Sequence, residues 1–361
     1  LPDRVPLAKY GDEIMPIMGN AVAAILPAGY TRLYMPAFKK EDDAQMLPLY
    51  GYTAVVVYKD ELYVAAMYTD ENDKWDPAHY NTRNLHKLVK RVQKDLPDNR
   101  LVEHLGNCSL TWHCCTAQNL FYRRWEAGIP SSPVCNANCF GCISLQPAEC
   151  CPSPQSRIKF RPTPKEIAQI GIYHLETAPD AIISFGQGCE GEPSLAVDNI
   201  VPAIEKIRKK TDKGQININT NAGYTEGIKR IVDAGLDSMR VSIISAIPEN
   251  YKAYYRGSYE LDNVKESIRY AHEHGVHISL NMLYFPGFND SESEFKAWKE
   301  FLHENPVNKI QIRNLNIDPD AFAEIMPPFT KAIGTKEFIR QLHEEFPDIV
   351  IGNFSHYQKG E

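Results

Sequence analysis

From residue 160 onward, the apolar positions change period in a regular rhythm. Ala181-Ile-Ile-Ser-Phe185, Gln215-Ile-Asn-Ile-Asn-Thr-Asn221, Met239-Arg-Val-Ser-Ile-Ile-Ser245, His277-Ile-Ser-Leu-Asn-Met-Leu283 and Lys309-Ile-Gln-Ile-Arg-Asn-Leu315 read as short strands, buried or alternating at period two. Between them apolar residues recur at helical spacing: Ile167, Ile170 and Leu175; Val197, Ile200, Val201, Ile204 and Ile207; Ile228, Ile231 and Val232; Leu261, Val264, Ile268 and Ala271; Phe295, Trp298 and Leu302. The helix ends are marked. Thr163-Pro164-Lys165-Glu166 and Ser291-Glu-Ser-Glu294 have the form of capping boxes, the first with Pro at the first helical position. Gly235 and Gly275 close two of the helices.

Such alternation implies parallel strands joined by right-handed crossovers. A short first strand before Cys135 brings the count to six repeats, fewer than the roughly eight of a closed barrel. The expected fold is α/β: a partial (βα)6 TIM-like barrel with a small N-terminal α+β domain. A helix over 335–345 and an edge strand at Asp348-Ile-Val-Ile351 follow the barrel. The N-terminal part is less periodic. Residues 53–67 read as a hairpin turning at Lys59-Asp60-Glu61, and residues 82–95 as a helix with Leu85, Leu88, Val89 and Val92 on one face. A further helix runs through Phe121 and Trp125. The expected domains are 1–107, an accessory unit acting as a substrate-binding module, a lid or a packing element; 108–318, the barrel; and 319–361, the C-terminal helix and edge strand.

Composition narrows the class. With 361 residues and 43% hydrophobic content, the chain can bury a core without disulfide staples. No apolar run is long enough to span a bilayer and no signal peptide pattern is visible, so no membrane role is expected. A net charge of -7 argues against a nucleic-acid partner. The densest basic run, Arg208-Lys209-Lys210, ends a predicted helix, where cations complement the dipole. The nine cysteines fall at 108, 114, 115, 135, 139, 142, 150, 151 and 189. Their odd number and their clustering read as metal chemistry in a reducing compartment, which implies a cytoplasmic, oxygen-sensitive protein.

The densest cluster is Cys135-Asn-Ala-Asn-Cys139-Phe-Gly-Cys142. Thiolates are soft ligands suited to iron–sulfur clusters and zinc. A structural zinc site takes four protein ligands, whereas three thiolates from one loop leave one iron of a cubane open. The loop resembles the cluster loop of the radical S-adenosylmethionine (radical SAM) superfamily. One position departs: many members carry an aromatic residue just before the third cysteine. Here Gly141 stands there and Phe140 is one place earlier, which bears on shielding of the cluster rather than on its ligation.

The resemblance covers roughly residues 130 to 317 and implies a set of site residues. Cys135, Cys139 and Cys142 would hold a [4Fe–4S] cluster. Gly191-Glu192-Pro193 is similar to the family's Gly-Glu-Pro segment, whose backbone receives the methionine amino group of S-adenosylmethionine. Asn219 and Asn221, then Arg240, Ser242 and Ser245, stand where the family holds ribose and carboxylate. Asn281 and the Phe285-Pro-Gly-Phe-Asn-Asp290 turn, with Gly287 and Asn289, look like the fifth-strand segment against the adenine. Arg313 ends the sixth strand, apt for a carboxylate. The plain alternatives are polar strand-end caps and, for Arg313, a structural ion pair.

The implied reaction takes one electron from a low-potential donor such as ferredoxin or flavodoxin. It cleaves S-adenosylmethionine to a 5′-deoxyadenosyl radical, which removes hydrogen from a peptide, protein or small-molecule substrate. A cobalamin-dependent radical methyltransferase is a second reading; no Asp-x-His-x-x-Gly loop is present, though cobalamin can be held without one. A non-catalytic iron–sulfur carrier is a third, but a carrier has no need of six βα units with a Gly-Glu-Pro loop. Cys189 precedes that segment and is expected at the cofactor, as hydrogen donor to a substrate radical, metal ligand or packing residue. Cys108, His113, Cys114, Cys115, Cys150 and Cys151 raise a second metal site, against the alternative of small buried residues.

Overall fold

The structure is a computed structural model that describes residues 1–71, 73–146, 153–328 and 331–358. Cys150 and Cys151 lie outside the described residues. The chain opens with eight short strands: β1 (Arg4–Tyr10), β2 (Glu13–Pro16), β3 (Ala23–Ala24), β4 (Tyr30–Arg32), β5 (Phe38–Lys40), β6 (Thr53–Tyr58), β7 (Glu61–Val64) and β8 (Ala66–Tyr68). They pair as β2-β1-β5, β3-β6-β7 and β4-β8, all antiparallel. The hairpin read over 53–67 is β6–β7. Lys59 and Asp60 both take positive φ, 52° and 62°, the turn geometry that matches the twist of a two-residue hairpin.

Three helices follow: α1 (Leu85–Asp95), α2 (Arg100–Leu110) and α3 (Cys115–Tyr122). The Asn99 side chain caps α2 by accepting from the Leu101 and Val102 N–H groups. The expected boundary at 107/108 falls inside this helix. Val89, Val92, Leu101, Val102 and Leu105 are buried in one continuous core with Ile167, Ile183 and Ile204 of the barrel, so α1 and α2 pack as part of it. The helix expected through Trp125 ends at Tyr122, where Arg123 turns left-handed at φ 54°. Trp125 lies beyond it.

The barrel elements are β9 (Glu126–Gly128), α4 (Pro164–Thr177), β10 (Ile182–Phe185), α5 (Val197–Lys210), β11 (Gln215–Thr220), α6 (Thr225–Asp233), β12 (Ser238–Ile243), α7 (Pro248–Tyr255), α8 (Leu261–Glu273), β13 (His277–Tyr284), α9 (Glu292–Glu304) and β14 (Lys309–Asn314). Then come α10 (Pro319–Ile325), α11 (Thr335–Glu345) and β15 (Val350–Gly352). The seven strands form one parallel sheet in sequence order, β15-β14-β13-β12-β11-β10-β9. Each strand pairs with its neighbour in sequence, the winding of a mixed α/β partial barrel. The edge strand adds a seventh member to the six repeats read from the sequence.

The alternation divides the sheet's faces sharply. Ile183, Ile216, Ile218, Met239, Val241, Ile278, Leu280, Ile310 and Ile312 are fully buried in the apolar core. The opposite face is polar: register pairs Asn219 with Arg240, Arg240 with Ser279, Ser242 with Asn281, and Asn281 with Gln311. Thr163 and Glu166 form a complete capping box at α4. At α9 only half of the predicted box exists. Ser291 accepts from the Glu294 N–H, but the Glu294 carboxylate accepts from Ser245 Oγ and Asn250 Nδ2 at 2.6 Å each.

The N-terminal segment is clasped onto the segments that follow β14 and β15. Arg4 Nη2 meets Asp318 Oδ2 at 3.0 Å with both side chains buried. Arg32 Nη2 donates to the Leu315 carbonyl at 2.6 Å. Asp70 accepts from the Asn353 N–H at 2.9 Å and meets His356 at 3.0 Å.

Candidate active site

At the C-terminal ends of the sheet lies a cavity of about 420 Å³, where ligands of such sheets bind. Cys135, Cys139 and Cys142 border it together, as the spacing predicts. The loop that carries them has no regular structure and is held from two sides. On one side, Gly191 N–H donates to Ser132 O at 2.7 Å and Glu192 N–H to Val134 O at 2.9 Å. On the other, Asn138 N–H donates to Tyr255 O at 3.0 Å and Phe140 N–H to Tyr254 O at 3.1 Å.

Glu190 is the main fastener between the cluster loop and the Gly-rich loop. Its buried carboxylate accepts from the N–H groups of Ser131 (2.7 Å), Ser132 (3.0 Å), Gly186 (2.7 Å) and Gln187 (2.8 Å), and from Ser131 Oγ (2.9 Å). Burial pushes the Glu190 carboxyl up to about 7, against the pull of these donors. The Glu192 carboxylate turns to the end of β11, accepting from Ser194 N–H at 3.0 Å, Asn221 N–H at 2.8 Å and Thr220 Oγ1.

Burial pushes the Cys135 thiol up to about 11, with the Glu192 carboxylate adding to it, and raises Cys139 further, with Cys135 and Cys142 adding to it. Only a cation among the three sulfurs favours three thiolates there. Arg157 supplies part of that field: its Nη2 lies 3.5 Å from Cys142 Sγ and its Nε donates to Ser144 Oγ at 3.1 Å. Hydrogen bonds to cluster sulfurs tune potential. The donor set fits a cluster with one iron left open toward the cavity.

Among the residues expected at the cofactor, Gly191, Glu192, Asn219, Asn221, Ser242 and Arg313 border this cavity. Asn221 Nδ2 donates to Asn136 Oδ1 at 2.7 Å, tying β11 to the cluster loop. Arg313 Nη1 donates to the Asn353 carbonyl at 2.6 Å, so its plain alternative as an ion pair is replaced by a backbone contact.

The others are placed elsewhere. Arg240 reaches across the barrel interior to Glu126 and to Ser184 Oγ (3.0 Å). Ser245 serves Glu294. Asn281 faces the barrel interior, its Oδ1 without a protein partner. Asn289 organises the 285–290 turn, accepting from Phe285 N–H at 2.7 Å and donating to Ile244 O at 2.6 Å. Gly287 sits in that turn at φ 89°, and Pro193 opens a short 3-10 turn capped by Glu192. Cys189 is the clearest correction. Its neighbours 186–188 and 190–192 border the main cavity, but Cys189 is buried and borders a neighbouring one with Cys108 and Cys114.

Sequence reasoning missed Leu49, Arg157, Gln187, Thr220, Tyr254, Tyr255 and Asn316, all of which border the main cavity. Of these, Gln187 and Thr220 flank residues already singled out. The rest arrive from loops and from α7, which carry no periodic signal toward the site.

Parallel strands with three convergent thiols at their C-terminal mouth make an arrangement suited to an iron–sulfur cluster. Residues 129–298 match the family model of the radical SAM superfamily. A probable dual-specificity RNA methyltransferase RlmN of Chlorobium luteolum is 36% identical over 144 residues, 36% of this chain and 40% of that protein. A GTP 3',8-cyclase of Lactiplantibacillus plantarum is 26% identical over 196 residues, covering 54% and 52%. The chain spans about half the length of the curated relatives it matches. A crystal structure of methylornithine synthase (PylB) aligns with a TM-score of 0.45 at 14% identity, over 74% of this chain and 78% of that one. No helix among the described residues is long and apolar enough to cross a membrane.

Proposed function

We propose that this chain is an enzyme that binds a [4Fe–4S] cluster on Cys135, Cys139 and Cys142 and reductively cleaves S-adenosylmethionine beside it. The observation that carries the reading is the convergence of the three thiols with the Gly191–Glu192 backbone on one cavity. When bound, the cluster and S-adenosylmethionine supply one-electron cleavage of a carbon–sulfur bond and hence hydrogen abstraction from an unreactive carbon. An external low-potential donor of the ferredoxin or flavodoxin kind feeds the electron.

The chain's own groups orient and enclose. The backbone at 191–192 is fixed by its two bonds to the cluster loop, so it meets the cofactor's amino group without rearrangement. Asn219, Asn221 and Ser242 offer neutral donors and acceptors along the wall, suited to ribose hydroxyls. Arg313 offers a fixed positive charge there. Leu49, from the N-terminal segment, also lines the cavity. That segment restricts the mouth and chooses the substrate. The named relatives act on RNA or GTP, but the shared stretch is the cofactor barrel, so the reading stops at the cofactor.

The test is the variant with Cys135, Cys139 and Cys142 all changed to Ala, reconstituted anaerobically beside the wild type. The wild type should hold about four irons per chain and release 5′-deoxyadenosine when reduced. The variant should do neither, and undiminished cleavage in it would overturn the proposal.

A further inference from the structure

Outside the cavity described above, one group of ligating side chains has no role in the proposed reaction. His104 and Cys108 are four residues apart on α2, which puts them on one helix face. Cys189 reaches the same point from the Gly-rich loop. The His104, Cys108 and Cys189 ligand atoms all lie within 4.8 Å of one another. Cys108 Sγ is 3.6 Å from His104 Nε2, about the spacing that two ligands take on one tetrahedral zinc. Both thiols are buried, at 6% and 7% exposure.

We infer that His104, Cys108 and Cys189 form a second metal site, separate from the three-cysteine loop, that takes a single Zn²⁺ ion. Three features set the ion's class. Two thiolates with one imidazole are a donor set of zinc, softer than magnesium or calcium sites accept. The mutual closeness of the atoms suits a single ion, since a cubane spreads its thiolates over separate irons. The site is largely enclosed, as structural zinc sites are. Cys114 borders the same cavity of about 270 Å³ as Cys108 and Cys189, and its N–H donates to the Cys108 carbonyl at 3.1 Å. Its sulfur stands outside the group of atoms within 4.8 Å of one another, so it closes the tetrahedron only by turning toward the ion. His113 and Cys115, considered with it from the sequence, point away: His113 Nδ1 meets Asn81 Oδ1 at 2.9 Å, and the Cys115 thiol lies 3.9 Å from His113 O.

The ion would join α2 to the loop 186–192, one residue before the Glu190 fastener and two before Gly191. It would fix the loop that fronts the cofactor cavity from behind, through the helix that the expected domain boundary had cut. Structural zinc of this kind contributes folding energy directly.

The experiment measures zinc and iron together in the full chain, purified anaerobically from zinc-supplemented cells. The wild type should carry about one zinc per chain. Cys108→Ser and His104→Gln should each lose the zinc while keeping the iron of the cluster. The variant with Cys135, Cys139 and Cys142 changed to Ala should lose the iron and keep the zinc. In that variant, Co²⁺ should give thiolate charge-transfer bands and the intense visible bands of a tetrahedral ion. Should Cys108→Ser fail to fold, His104→Gln decides alone, because the half-buried imidazole can be exchanged without opening the core. Three results would overturn the inference: no zinc and no tetrahedral cobalt spectrum, zinc that persists in His104→Gln, or a Cys108–Cys189 disulfide found by peptide mapping of the anaerobic protein.

Discussion

Gly191→Ala tests how the cofactor loop is held. Gly191 does not have positive φ, so its need for glycine is spatial. A Cβ there would lie 2.0 Å from Val134 O and 2.5 Å from Val134 C. A carbon–oxygen contact settles near about 3.3 Å, so the two backbones must part by about 1.3 Å. That breaks the Gly191–Ser132 and Glu192–Val134 hydrogen bonds, now 2.7 and 2.9 Å long. At about 1 kcal/mol each, the loss is about 2 kcal/mol. If the loop must regain its position to receive the cofactor, affinity for S-adenosylmethionine falls about thirtyfold. The assay is equilibrium binding of S-adenosylmethionine to anaerobically reconstituted protein, with iron content measured in parallel. A dissociation constant within about twofold of wild type, at equal iron, would refute the reasoning, because it would mean that the close approach of the two loops has no part in cofactor binding.

The remaining predictions concern the scaffold. Arg240 pairs with Glu126 inside the barrel, at 12% and 6% side-chain exposure. Arg240→Met leaves a buried carboxylate and should cost about 3 kcal/mol of stability by denaturant unfolding, largely restored in Arg240→Met/Glu126→Gln; unchanged stability with lost cofactor binding would return Arg240 to the site. The Arg100 guanidinium, with the Thr163 donors, holds Glu166 down to about 2 from 4.5. A depressed carboxylate contributes stability above its unfolded pKa and loses it as pH falls toward the folded one. Arg100 is half exposed, so Glu166→Gln should cost only about 1 kcal/mol at neutral pH. Melting curves of the two proteins should converge between pH 4.5 and about 2; a constant gap across that range would contradict this assignment.

The strands and most helices of the barrel were legible because burial on one face imposes a period, and the period survives in the sequence. Thr163 and Glu166 made the start of α4 readable in the same way. Helix α2 escaped notice because Gly106, Asn107, Cys108 and Ser109 are weak helix formers and drew the eye as a cysteine segment. Its apolar set Leu101, Val102 and Leu105 and the cap Asn99 were there to be read. Alternation along β12 puts Arg240 and Ser242 on one face, but a face is not a height. Ser242 borders the cavity and Arg240 sits deeper, against Glu126. Cys189 shows the limit for loops. Side chains there follow no period, so adjacency to Gly191 and Glu192 says nothing about which cavity a thiol enters.

The departure at Gly141 is answered from another part of the chain. Tyr254 borders the cavity, and its hydroxyl lies 2.8 Å from where a Cβ on residue 141 would be. An aromatic ring thus covers the cluster loop from α7 instead of from the loop itself, and the glycine is what admits it. The same helix settles the loop's backbone. A helix C-terminus leaves its last carbonyls without intrahelical donors. The Tyr254 and Tyr255 carbonyls of α7 take the Phe140 and Asn138 N–H groups. Arg256, the left-handed cap at φ 46°, donates Nε to Asn138 O at 3.0 Å and lies over the Phe140 ring at 5.5 Å. Two sets of orphaned backbone groups, one at a helix end and one in a loop too short to fold on itself, satisfy each other. The loop's three sulfurs are therefore positioned by α7 on one side and by Glu190 and Gly191 on the other, before any metal binds.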